Sequence, residues 1–535
     1  MKGIPKSEGS ELQSLPVQTN LRLKPPTVSH LDPVSVVLDT MIKEDIGAVI
    51  VLDESQPVGI ITEKDVLVKV VQPQKDFELT LAKDVMSKPL ITIEADHTIR
   101  EALDLMRRHN IRRLVVTEDG DLLGLATERR LLEVAHGRYM MKNYNTALKK
   151  LSSHLDRIRV AYFSSYPPRI CGIATYTKAL LEAVSRLYAL KPQVVFAINE
   201  KGGYYNYGSE VEFQIDRERD DSYVEVAEYI NKSDINIVNI QHEFGLFGGT
   251  WGKNILVFLE NLKKPVVTTL HTLLLEPEPE ARRILEGILR HSNYVIVMAR
   301  VGIQIIEQLY NTPAKKVRYI PHGCPNVPFI LSETIKPRLG LEDRTILSTF
   351  GLLSRGKGIE YAIQSLPPIV KLDPQILYLI IGETHPEVRK HEGELYRKEL
   401  INLVESLGLD ENVRFVNRFL PLNDLIRYLQ ATDIYILPYP NKEQISSGTL
   451  SYALSTGKAI VSTPFLHAEE VISEGCAWEC EFRDPSSITD NVRTLLRHDD
   501  IHRRLEEKAY RYSRGKIWPN IAMQYVNLFY KTLGM

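Results

Sequence analysis

The chain has 535 residues, 44% hydrophobic and 25% charged, and its 66 Lys and Arg nearly cancel 68 Asp and Glu to leave a formal net charge of −2. Such a balance sets up no field that would gather nucleic acid, and the length suggests about three domains with ample core. No apolar run reaches the roughly 18–20 residues that span a bilayer, and the opening "MKGIPKSEGSELQ" lacks the apolar stretch of a signal peptide, so a cytoplasmic protein is expected. Cys171, Cys324, Cys476 and Cys480 are too few and scattered for a disulfide framework and are expected as free thiols; the last two are spaced to share a helix face.

After a flexible start over 1–19, residues 33–67 and 98–132 repeat one pattern. Each copy has a helix-period segment, an apolar strand ("AVIVLD", "RLVVTE"), an Asp or Gly turn, a second strand ("GIIT", "GLAT") and a helix start. Gly59 matches Gly124 and Thr62 matches Thr127, both at an offset of 65 (124 − 59, 127 − 62). A single unit is too small to bury its own faces; two together make a domain.

With "GIITEKD" and "GLATERR" as the carrying residues, 20–138 resembles a tandem pair of CBS domains. That resemblance implies an adenine-nucleotide site in which Thr62 and Asp65 meet the ribose hydroxyls, a hydroxyl and a carboxylate one helical turn apart. In the second copy Thr127 is followed by Arg130 in place of the Asp, which suits a phosphate better than a diol. The pair either senses adenine nucleotide or makes the chain a homodimer. Residues 139–156 read as a solvated linker.

From about residue 157 apolar strands alternate with helical stretches, the pattern of βαβ units and parallel sheets. Strands "IRVAYFSS", "INIVNIQHE", "PVVTTLH", "YVIVMA" and "VRYIPHG" belong to a first lobe over 157–335. A second, over 336–515, carries "TILSTFG", "QILYLIIGE", "VRFVN", "DIYILPYP" and "KAIVSTP", and 516–535 is a helix returning to the first lobe. The fold class expected is α/β: two doubly wound, Rossmann-like lobes with a smaller α/β domain in front. Ligands of such sheets gather at the carboxyl ends of strands and in the cleft between lobes.

Two loops there suit a diphosphate. In "EQISSGTLSYALSTG" a helix closed by Gly457 begins after Ser446, Ser447, Gly448 and Thr449, small residues at the positive end of a helix dipole. In "FGLLSRGKGIEYA", Arg355 and Lys357 lie among glycines between a strand and a helix. The loop has neither the ending of a Walker loop nor the spacing of a dinucleotide turn, which argues against an NTPase or dehydrogenase.

With "PPRICGIATYT", "TLHT", "IPHG", "SRGKG" and "SSGTLSYALSTGKAIVSTP" in this order, residues 157–535 resemble a GT-B glycosyltransferase of the family 4 (group 1) type. The resemblance implies retaining transfer of a sugar from a nucleotide-diphosphate donor, with GDP-mannose favoured and UDP- or ADP-sugars as alternatives, and no metal or other cofactor. It gives Lys357 and Arg355 the leaving diphosphate, and His271 the sugar and transition state. Donor contacts fall to Gly172, Ile173, Gly351, Gln444, Ser446, Ser447, Gly448 and Thr449. The family's Glu-x7-Glu pair is replaced here by Gln444 and Tyr452, and an arginine of the glycine loop by Leu352, so Glu443, Glu469 or Glu470 is expected to take the ribose contact. The loop "IQHEFGLFGG" offers Gln241, His242 and Glu243 to a sugar acceptor. The alternatives are a catalytically silent sugar-nucleotide binder and another GT-B enzyme, a phosphorylase or an epimerase.

Overall fold

The computed structural model describes Val17 and residues 22–23, 25–44, 46–73, 75–109, 111–128, 131, 158–187 and 191–535. The start over 1–19, Val17 apart, the linker over 139–156 and Arg130 lie outside the described residues. Two compact units result, Met1–Tyr144 and Asn145–Met535.

In the first unit the offset of 65 holds for whole elements. Strand Thr27–Ser29, helix Val34–Lys43 and hairpin Ala48–Asp53/Gln56–Thr62 recur as Thr92–Glu94, Ile99–Arg108 and Arg113–Glu118/Asp121–Thr127. Even the irregularities recur. Both hairpins shift register at the same place, between Val51 and Leu52 and between Val116 and Thr117, and both turn through a residue at φ 53°, Glu54 and Asp119. Each copy packs its helix on one face of its sheet, and the two copies bury Ile50, Val115 and Leu125 against each other. Helix Ile99–Arg108 starts with a full capping box between Thr98 and Glu101, and helix Glu63–Val66 with one between Thr62 and Asp65.

The second unit holds two parallel sheets. The first runs in the order Val211–Asp216, Val194–Asn199, Val160–Ser164, Ile237–His242, Val266–Leu270, Tyr294–Val297, Val317–Tyr319. The second runs Val413–Val416, Ile376–Ile381, Thr345–Phe350, Ile434–Leu437, Ala459–Ser462, Trp478–Glu479. In both, every neighbouring pair of strands is parallel and the order reverses beside the first strand, the doubly wound arrangement. "VAYFS", "VVFAIN" and "ILYLII" are buried along their full length, as strands covered by helices on both faces must be. Helix Trp518–Thr532 comes last in sequence yet packs on Gly172–Ser185 of the first lobe, where the Tyr525 and Tyr176 hydroxyls meet at 3.0 Å. All four cysteines are free thiols. Cys476 and Cys480 flank the strand Trp478–Glu479 instead of sharing a helix face, because Gly475, at φ 67°, has already ended the preceding helix.

Candidate active site

Three loops of the second lobe assemble at the carboxyl edge of its sheet, and glycines permit the contact. Gly382 has φ 137°, and a Cβ there would lie 2.0 Å from the Gly351 carbonyl; Gly358, at φ 61°, would meet the Pro438 carbonyl at the same distance. This docking seats Lys357 on Tyr439, two positions beyond strand Ile434–Leu437. The Lys357 ammonium donates to the Tyr439 hydroxyl at 2.7 Å and lies 4.3 Å from the ring centre. Among the described residues it has no carboxylate partner. Since the ammonium can only donate, the Tyr439 hydroxyl is free to donate to Thr449 Oγ1, at 2.8 Å. Burial pushes the Tyr439 phenol up, but the Lys357 charge and the hydrogen bonds shared with Lys357, Thr449 and Ser447 outweigh it and bring it below the ordinary value.

Thr449 belongs to the first turn of helix Gly448–Ser455. Its N-cap is Ser447, whose hydroxyl accepts from the Leu450 amide at 3.2 Å. Intrahelical bonding begins at Ser451, which donates to the Ser447 carbonyl, so the Gly448 and Thr449 amides precede it. The segment before the helix is fixed on both sides. The Ser447 amide donates to His467 Nδ1 at 2.9 Å, and the Ser446 hydroxyl to the His271 carbonyl of the other lobe at 3.1 Å. A Cβ on Gly448 would come 3.1 Å from His322 Nε2, a tight contact, so the absent side chain lets the helix end approach that ring closely.

The first lobe presents imidazoles. The Tyr176 ring packs edge-on at 4.9 Å against both His271 and His322, and at 5.1 Å against Trp518. Burial depresses all the rings here: His242, His271 and His467 fall to about 3 and His322 to about 4, so they are neutral at pH 7. Helix Gly172–Ser185 starts nearby without a side-chain cap, and a Cβ on Gly172 would meet open space; Ile173 follows it, partly buried. Arg169, just before, is buried and held by Glu200 at 2.7 Å and the Ile198 carbonyl at 2.8 Å. Arg169 and Lys357 both depress His385, after burial, so cations of the two lobes face that residue.

Other residues singled out from the sequence lie elsewhere. Arg355, two positions from Lys357 on a single 3₁₀ turn, points to the opposite side. It forms a fork with Glu399, 2.7 and 2.9 Å, and reaches Glu392 at 3.6 Å. Its charge is thus compensated by two carboxylates, whereas that of Lys357 is not among the described residues. Glu469 pairs with Lys442 at 3.1 Å. Glu470 crosses to the first lobe, accepting from Tyr319 at 3.0 Å and the Arg300 amide at 3.1 Å. Both carboxylates expected at a ribose are thus engaged, as is Glu443, which accepts from the Leu275 amide at 3.2 Å. Gln444 folds back onto the Ser446 carbonyl, 2.6 Å. Tyr452 is buried beside Phe350, with its phenol pushed up to about 12 by burial and Cys324 despite a hydrogen bond to Trp518.

The acceptor assignment also changes. Gln241 and His242 are wholly buried because strand Ile237–His242 is a central strand covered on both faces. Among the described residues neither His242 ring nitrogen has a hydrogen-bond partner, and the ring stacks on Phe247 at 5.7 Å. Burial raises Glu243, which accepts from the Thr272 hydroxyl and, at 3.0 Å, from the Phe244 amide. In the first unit Asp65 is likewise occupied. It accepts from Thr62 Oγ1 at 2.5 Å, Ser87 at 2.7 Å and Lys69 at 2.9 Å. Thr127 ends its strand as Thr62 does. Sequence reasoning misses Tyr439, His322 and His467; the first two lie just past strand ends, a signal that could have found them, whereas His467 lies in the first turn of helix Leu466–Ser473.

Family models match at two places. Residues 20–72 and 82–137 match the CBS domain, and 332–512 match glycosyl transferases group 1. The chain therefore joins a CBS pair to a group 1 glycosyl transferase domain. The group 1 domain contains Lys357, Tyr439 and the Gly448 helix, and its partner lobe completes a GT-B fold. An uncharacterized protein of Methanopyrus kandleri is 38% identical over 117 residues, 22% of this chain and 59% of that protein. Another, of Methanocaldococcus jannaschii, is 30% identical over 115 residues, 21% of this chain and 62% of that one; in both cases the chain spans less than two thirds of the relative's length. N-acetyl-alpha-D-glucosaminyl L-malate synthase of Bacillus anthracis is 22% identical over 280 residues, 50% of this chain and 68% of that enzyme. Anabaena HepE, solved with UDP-glucose, shares the fold at TM-score 0.55 with 15% identity, over 70% of this chain and 99% of that one. Among the described residues no helix is long and apolar enough to cross a membrane, and no cluster of three or more metal-ligating side chains occurs.

Proposed function

We propose that the two-lobed unit is a retaining glycosyltransferase that moves a hexose from a nucleotide-diphosphate donor to a carbohydrate acceptor without a metal. The observation that carries this reading is the uncompensated Lys357 ammonium, held on Tyr439 beside the first-turn amides of Gly448 and Thr449. Breaking the donor's glycosidic C–O bond leaves negative charge on the diphosphate, and a fixed cation with aimed N–H groups stabilises that charge as it develops. The positive end of helix Gly172–Ser185 faces the same negative charge from the first lobe, and His271 contacts the sugar. The group 1 match over 332–512 supports the donor side, and the ligand of HepE makes UDP-glucose a donor to set beside GDP-mannose.

The CBS pair acts as a dimerisation module that also takes an adenine nucleotide. Its exposed Ile42, Leu67 and Leu79, 76%, 58% and 81% accessible, support a second copy as the partner. A ribose diol must displace Lys69 from Asp65, so adenine nucleotide binds weakly. One observation favours the binding-only alternative for the lobes: Gln444, which stands in place of the sugar-side glutamate, folds back onto the Ser446 carbonyl at 2.6 Å. Calorimetry with GDP-, UDP- and ADP-sugars on wild type and Lys357→Ala, followed by product analysis with sugar acceptors, separates these readings. Donor binding through Lys357 with product is expected. Binding without product leaves a sugar-nucleotide sensor, and no binding overturns both.

A further inference from the structure

The side chains behind His271 form a relay whose direction is fixed by chemistry. Asn239 donates through Nδ2 to the Val267 carbonyl at 3.0 Å. A carbonyl only accepts, so the Asn239 amide has one orientation, with Oδ1 toward Gln241. Gln241 must then donate through Nε2, which it does at 2.6 Å, with a second contact to Thr269 Oγ1 at 3.5 Å. Its Oε1 is left facing His271 Nε2 at 2.8 Å. Only the Nε2–H form of the imidazole can complete that bond.

We propose that Gln241 is a positioning residue that locks His271 as the Nε2–H tautomer and leaves Nδ1 a bare acceptor for a hydroxyl of the donor sugar. The assignment rests on the glycosyltransferase reading for the sugar but not for the tautomer. Burial keeps His271 neutral, so the choice lies between two neutral forms of equal charge, and Gln241 is the side chain that hydrogen-bonds the ring among the described residues. An Nδ1–H ring would turn a donor toward the cleft and would select the opposite partner on the sugar. The relay gives the buried "NIQH" strand a purpose that acceptor binding does not. Thr269 also accepts or donates at 2.9 Å with Tyr525, which ties the relay to helix Trp518–Thr532.

The test is long-range ¹H–¹⁵N spectroscopy on the full chain with labelled histidine, the His271 signal being assigned by its loss in His271→Asn. Wild type is expected to show His271 as Nε2–H alone at pH 7. Asn239→Leu, two bonds removed from the ring, frees the Gln241 amide to rotate and should give a mixture of tautomers; Gln241→Leu should do the same. With a turnover assay, each variant should lose about tenfold in kcat/KM, the worth of one hydrogen bond, with donor affinity through Lys357 retained. An Nδ1–H ring in wild type, or variants that keep Nε2–H alone, overturns the proposal. The wild-type spectrum needs no substitution, so a variant that fails to fold does not remove the test. Absence of turnover with the expected tautomer present counts against the transferase and not against the relay.

Discussion

The two lobes share a strand order and differ in what they place at their carboxyl edges. The first buries neutral imidazoles, His242 and His271, in a hydrogen-bonded and aromatic setting. The second holds an ammonium with no carboxylate partner among the described residues, and a helix start. Topology fixes where a ligand goes; the side chains at the strand ends fix its sign. On the proposed reading the diphosphate goes to the second lobe and an uncharged sugar ring against the first.

The largest effect expected from this contrast is on acid stability. Each buried histidine is neutral in the folded protein, whereas the unfolded chain takes up a proton below about pH 6.5. Stability is therefore full above that value and is lost as pH falls toward the depressed folded pKa. At pH 5 each ring costs about 2 kcal/mol, and four together approach the stability of a typical domain. Three of the four rings precede the second lobe in sequence. Hydrogen exchange followed from pH 7 to 4.5 should show strands Ile237–His242 and Val266–Leu270 losing protection before Thr345–Phe350 and Ile376–Ile381. Simultaneous loss would erase the distinction between the lobes.

Next comes Lys357→Ala, which should reduce turnover by about 10²–10³ and weaken binding of a nucleoside diphosphate, as removal of one aimed charge does elsewhere. Tyr439→Phe keeps the aromatic face under the ammonium but deletes the hydroxyl between Lys357 and Thr449; about a tenfold loss, with little change in stability, is expected in the same assay. Arg355→Ala should change turnover by less than about threefold, because its exposed pairs with Glu399 and Glu392 are worth little. A loss as large as that of Lys357 would mean that the arginine leaves its carboxylates when donor binds.

Much of this was legible in the sequence because it depends on local pattern. The repeat offset predicts the paired hairpins, whose matching bulges the structure adds, and glycines flanking Lys357 predict its loop. What was not legible depends on residues far apart. Which of Arg355 and Lys357 faces the cleft is decided by Glu392 and Glu399, some 40 positions away, and by Tyr439. Glu470 reads as a free acid in "PFLHAEEV" until Arg300 and Tyr319 are brought beside it. Gln241 and His242 look like polar loop residues at a strand end. Only the flanking strands Val160–Ser164 and Val266–Leu270 show that they are interior.

Tyr525 has a consequence for the order of events at the ribosome. The first lobe is translated long before helix Trp518–Thr532, yet the hydroxyls of Tyr176 and Thr269 find their partner on that helix. Until the whole second lobe has been synthesised, the nascent first lobe carries an uncovered apolar face around Tyr176 and lacks the Tyr525 partner of two buried hydroxyls, and in that interval it is a natural client for a chaperone.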